Sequence, residues 1–142
     1  MAASRRGLAT RVPGVTAVSM DGKLHSARVR QEVAAEVAEL GHVGLATVLV
    51  GDDPASHVYI EAKHRAANEA GIATRDLRLP ADTPEEEVLR LVAELNADPG
   101  VHGILVQLPM PSHVDEAAVT RAVLPVKDVD GLHPVNAGYL YL

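Results

Sequence analysis

Ser56, Tyr59 and Lys63 stand at positions i, i+3 and i+7 of the run GDDPASHVYIEAKHRAANEAGI. On an α-helix that spacing puts them on one face. A hydroxyl, a phenol and an amine would then line up over two turns. An amine in such a row can move a proton if it is neutral part of the time, and a phenol ring can cover a flat ligand. The plain alternative is a solvated Lys63 beside Glu61, because lysines are ordinarily exposed.

Two other segments carry polar groups in telling places. Gln107 ends the apolar run Gly103–Val106 and is followed by Leu108-Pro109-Met110-Pro111. It either bonds local backbone or orients a ligand or a lysine in the same crevice. Lys127-Asp128-Val129-Asp130-Gly131 is an Asp-x-Asp loop. Its carboxylates could bind a divalent cation, cap a helix or accept from a ligand's N–H groups. Metal is the weakest reading, since magnesium and calcium need more oxygen ligands than this loop offers. The seven histidines show neither His-x-x-x-His nor His-Glu-x-x-His spacing, so zinc has no support.

The elements that must position these groups follow from the hydrophobic pattern. Asp21-Gly22-Lys23 reads as a turn, and Ser26 to about Leu40 as an amphipathic helix with Val29, Val33, Val37 and Leu40 inward. Gly41 stops it. Leu45–Val50 is a buried strand that ends in a Gly-Asp-Asp-Pro turn. Asp53 is the expected N-cap and Pro54 the first residue of a helix to about Ala70, closed by Gly71. Thr74–Leu79 alternates as a short strand. Thr83-Pro84-Glu85-Glu86 reads as a capping box for a helix to about Asn96, with Val88, Leu91, Val92 and Leu95 inward. Val101–Gln107 is a further buried strand. Ser112 and Asp115 announce a helix to about Val123, and Pro125–Leu142 is loop followed by something apolar. Helices and strands alternating over short connections predict a three-layer α/β domain with a mostly parallel sheet. Ligand crevices of such sheets open at the carboxyl ends of the strands, where Ser56, Tyr59, Lys63 and Gln107 fall.

Composition narrows the function classes. A chain of 142 residues is the size of one ordinary domain, and a hydrophobic fraction of 47% suits a packed core. That core must be aliphatic, because there is no Phe or Trp and the only tyrosines are Tyr59, Tyr139 and Tyr141. The net charge of −6, without a basic patch, argues against nucleic acid. The absence of cysteine excludes disulfides and thiolate chemistry. The longest apolar run, Val43–Val50, falls far short of a membrane span. Residues 1–20 read as a short flexible extension rather than an export signal, because Arg11, Pro13 and Gly14 interrupt any apolar core. A cytoplasmic setting follows.

Taken together, GDDPASHVYIEAKHRAANEAGI, VHGILVQLPMPSH and PVKDVDGLHPVNAGYL resemble, in order and spacing, the signature regions of the methylenetetrahydrofolate dehydrogenase/methenyltetrahydrofolate cyclohydrolase family. The resemblance runs from Asp21 to the last residue. It implies that Lys63 is the catalytic lysine and that Gln107 bonds and tunes it. It implies that Tyr59 packs on the folate rings, that Ser56 is the neighbouring serine of the motif, and that Asp130 holds the pterin. It also implies oxidation of 5,10-methylene-tetrahydrofolate to the 5,10-methenyl form with NADP or NAD, then hydrolysis to 10-formyl-tetrahydrofolate. The residue types suit that chemistry. A carboxylate accepts from the pterin N–H edge, and a phenol suits a planar cation. Family members continue into a dinucleotide-binding domain and are homodimers. Here no Gly-x-Gly-x-x-Gly follows any strand. The expectation is therefore the folate-binding catalytic domain over residues 21–142, truncated at the hinge, without a cofactor site and monomeric on its own. The alternative is a folate-binding module, or one subunit of a split enzyme, without turnover of its own.

Overall fold

The computed structural model describes residues 21–142. The expected extension at 1–20 lies outside the described residues. Helix α1 (Gly22–Leu40) is followed by β1 (Gly44–Val50), α2 (Pro54–Glu69), β2 (Ala73–Leu79), α3 (Glu85–Ala97), β3 (Gly103–Val106), α4 (Glu116–Ala122), a 3-10 turn at Pro125–Lys127 and α5 (Pro134–Tyr139). The strands form one sheet in the order β2-β1-β3, and both pairings are parallel.

This order explains the patterning. β1 is the middle strand, so six of its seven residues are buried and the run reads as continuously apolar rather than alternating. Ala46, Val48 and Val50 join Val88, Val92 and Leu95 of α3 and Val119 of α4 in one aliphatic cluster. The intervening residues, Thr47 and Leu49, turn to the other face, where Thr47 Oγ1 lies 2.9 Å from His64 Nε2 of α2. Helices thus cover both faces. Right-handed crossovers require this, since the chain steps from β1 to β2 one way and then back across β1 to β3. β2 is an edge strand and half exposed, and Arg75, Asp76 and Arg78 keep it charged.

Several boundaries differ from the sequence expectation. α1 begins at Gly22 rather than Ser26, because the Asp21 carboxylate accepts from the N–H groups of Lys23 and Leu24 and caps the helix. Of its expected inward stripe only Val37 is buried, and Leu40 is 74% exposed. Thr83 does not head α3. Pro84 is the capping residue and makes no side-chain cap bond, while the Thr83 carbonyl faces His113 Nε2 at 2.9 Å. The Glu85 carboxylate is also used elsewhere, accepting from the Asp115 N–H at 2.7 Å. β3 pairs only over Gly103–Val106. Val101 is buried but lies in the turn before it, and Gln107 keeps a single ladder-like bond, N–H to the Val48 carbonyl at 2.8 Å. Gly41 and Gly71 end α1 and α2 at φ of +82° and +84°.

The start of β1 is the tightest point of the sheet. A Cβ on Gly44 would sit 2.0 Å from the Gly100 carbonyl oxygen, which is backbone and cannot swing aside. Gly44 also exchanges bonds with His102, its N–H donating to Nδ1 at 3.0 Å and its carbonyl accepting the His102 N–H at 2.8 Å. Gly44→Ala should therefore destabilise the domain by about 1–3 kcal/mol, the usual cost of overpacking. A lower urea midpoint with an unchanged m-value is the expected result. An unchanged midpoint would mean that the strand start relaxes freely.

Candidate active site at the carboxyl edge of the sheet

Asp53 starts the helix that carries the amine. Its Oδ2 accepts from both the N–H and the hydroxyl of Ser56, each at 2.8 Å, and Pro54 supplies a preset first turn. Ser56 is consequently 2% exposed, its hydroxyl spent on the cap. It fixes the helix start instead of opening to solvent. Tyr59, one turn on, is 64% exposed. Lys63 follows after another turn, also exposed.

The structure brings Lys63 to Gln107 across 44 residues of sequence: Nζ donates to Oε1 at 3.4 Å. The amide does both things the sequence left open, since its Nε2 donates to the Leu108 carbonyl at 2.7 Å. That second bond decides which end of the amide faces the lysine. With the NH2 group tied to a backbone carbonyl, the oxygen points at the ammonium. Gln107 sits where β3 ends and the chain turns through the cis Leu108-Pro109 bond. The following segment is held by the Met110 N–H, which donates to Glu116 Oε1 at 2.8 Å.

The two carboxylates of the Asp-x-Asp loop have different surroundings. Asp128 makes a parallel bridge to Ile104 of β3, and its Oδ2 accepts from the His133 N–H (2.8 Å) and Asn136 Nδ2 (2.9 Å). Burial works against its charge, but the bonds from His133, Asn136 and the N–H groups of Leu132 and Gly131 outweigh burial and hold its carboxyl below the ordinary value. A carboxyl lowered in the folded state stabilises above the unfolded value of about 3.9, and that support is lost as pH falls through the folded value. Asp130 is exposed and has no hydrogen-bond or ion-pair partner among the described residues. It lines a small hollow with Val106, Thr120 and Leu132, next to the strand end that presents Gln107. No group of three or more His, Cys, Asp or Glu residues able to hold a metal occurs among the described residues.

The chain is an α/β domain in which Lys63 and Gln107 meet at the carboxyl edge of a parallel sheet, where ligand crevices open, while Asp130 lines its own hollow on the side of α4. The comparisons narrow this class. Residues 20–130 match the model of the tetrahydrofolate dehydrogenase/cyclohydrolase catalytic domain, and the chain belongs to that family. It is 56% identical over 131 residues to the bifunctional protein FolD of Rhodopseudomonas palustris strain HaA2, covering 89% of this chain and 44% of that protein. Among solved structures, the bifunctional FolD methylenetetrahydrofolate dehydrogenase/cyclohydrolase of Campylobacter jejuni superposes with a TM-score of 0.80 at 41% identity, covering 84% of this chain and 44% of that one. The Trypanosoma brucei N5,N10-methylenetetrahydrofolate dehydrogenase-cyclohydrolase, complexed with NADP and an inhibitor, gives 0.83 at 36%, covering 89% and 44%. The chain thus spans less than half the length of these relatives.

Asn136 and Lys127 stand in the quoted motif, and only the folded loop reveals what their side chains hold.

Proposed function

We propose that this chain handles folate as the catalytic domain of a bifunctional one-carbon enzyme. The whole enzyme would oxidise 5,10-methylene-tetrahydrofolate to the 5,10-methenyl form with NADP or NAD and hydrolyse that to 10-formyl-tetrahydrofolate. The observation that carries this reading is the Lys63–Gln107 pair at the strand edge, with exposed Tyr59 one turn before the amine. In hydrolysis, water attacks the methenyl carbon and loses a proton, and the departing ring nitrogen gains one. Lys63 is the group in reach for both transfers, and Gln107 keeps it aimed. A pterin lying on Tyr59 would shed water from the exposed amine as it docks. Ser56 contributes through the cap that sets the helix. The nicotinamide would supply the hydride acceptor, and no residue proposed for the site described here is assigned to hold it.

Asp130 is assigned to the pterin N–H edge because it is the loop carboxylate left without an internal partner. Asp130→Asn should weaken folic acid binding by about 10- to 100-fold, the worth of one charged hydrogen-bond partner. Asp128→Asn should weaken it less and lower the stability of the loop instead. Calorimetric titration of both variants checks this, and equal losses would mean that the wrong carboxylate has been chosen or that both bind.

The reading includes a cytoplasmic setting and a small-molecule partner, without nucleic acid or membrane. No described helix is long and apolar enough to cross a membrane. It further takes the full-length enzyme as a homodimer and this chain alone as a monomer, which light scattering would test.

A further inference from the structure

The segment from Pro125 to Asn136 is tied down on both sides of Asp130. On one side, Lys127 Nζ donates to the Leu95 carbonyl at 3.1 Å and the Asp98 carbonyl at 2.8 Å. These carbonyls close α3, which has no basic residue in its own last turn. A cation reaching in from another segment satisfies orphan carbonyls and meets the negative end of the helix dipole. On the other side, Asn136 Nδ2 donates to the Pro125 carbonyl at 2.8 Å and to Asp128 Oδ2 at 2.9 Å, so one amide staples α5 to both the 3-10 turn and the loop. Between the two anchors, Gly131 turns the chain at φ +69° immediately after Asp130. Asp130, which has no partner among the described residues, thus lies between two anchored points of the chain.

We propose that Asn136 and Lys127 are positioning residues that preform the loop and present the Asp130 carboxylate to a ligand's N–H edge before the ligand arrives. This rests on the assignment of Asp130 to the pterin. Their effect on binding passes through Asp130, because without them the carboxylate must be ordered at the moment of binding.

A double-mutant cycle tests this, with folic acid as the calorimetric probe. Asn136→Ala should weaken binding about five- to tenfold in the parent chain and less than about twofold in the Asp130→Asn background. A residue that merely supports the fold would cost the same in both backgrounds, and equal losses overturn the proposal. Lys127→Met, which touches a different anchor, should repeat the pattern and carries the test if Asn136→Ala fails to fold by circular dichroism. Asp130→Asn binding as tightly as the parent is a separate outcome: it overturns the assignment of Asp130 itself.

Discussion

On the proposed function, Lys63→Met should abolish any hydrolysis of 5,10-methenyl-tetrahydrofolate by this chain while leaving folic acid binding nearly unchanged. Methionine keeps the length of the stem but removes the amine beside Gln107, and with it the path proposed for both protons. A positioned general acid–base is worth about 10²- to 10⁴-fold in rate, so the loss should fall on kcat and spare KM. An ordinary lysine titrates near 10.4, and the neutral form is scarce at neutral pH. The methenyl cation itself, brought against the amine, disfavours a second positive charge and supplies the pressure to release a proton. Decay of the methenyl absorbance band measures the rate. If the variant hydrolyses as fast as its parent, the parent rate is solution background and Lys63 has no role. A parent no faster than buffer, yet binding folic acid, would favour the binding-module alternative.

The second large effect is an absence of turnover. Given 5,10-methylene-tetrahydrofolate with either NAD or NADP, the 142-residue chain should form no measurable reduced nicotinamide. Hydride transfer demands the nicotinamide at about 3–3.5 Å from the folate carbon, held by a site of its own. The dinucleotide fingerprint needs a Gly-rich turn between a strand and a helix. After β1 the turn is Gly51-Asp52-Asp53-Pro54, where Asp53 caps α2 and places carboxylates where a pyrophosphate would lie. After β2 the residues are Pro80-Ala81-Asp82-Thr83, and after β3 they are Gln107-Leu108-Pro109-Met110. None fits. Reduction of NADP by the parent chain, seen in near-ultraviolet absorbance, would show that the chain holds a cofactor site of its own.

Much of the domain was readable because its signals are local. The middle strand announced itself as a β-branched run, and Asp53-Pro54 and Gly71 bounded α2 by cap chemistry that needs no tertiary context. The row from Ser56 to Lys63 followed from helical spacing. What local pattern could not supply was competition. Thr83 has the look of a cap residue, yet its neighbourhood is claimed by His113 and by Glu85 binding the next helix. Ser56 stands in the row with Tyr59 and Lys63, yet its hydroxyl is spent on Asp53. Asp128 and Asp130 are equal in sequence and become unequal only when Asn136 and His133 return to bond one of them. The stripe on α1 promised burial, but a stripe does not say what lies opposite it.

The chemistry of the core also decides what an optical probe can see. Every tyrosine of the chain lies on the surface, Tyr59 at 64% exposure, Tyr139 at 70% and Tyr141 at 90%, over an interior built from Val, Leu, Ile and Ala. Melting that interior changes the surroundings of no indole and hardly those of any phenol. Intrinsic emission should therefore be nearly blind to unfolding. A ligand stacked on Tyr59 would quench one phenol directly and leave the other two untouched. With a ligand on Tyr59 as proposed, tyrosine light would report occupancy, while order in the chain must be followed through the backbone.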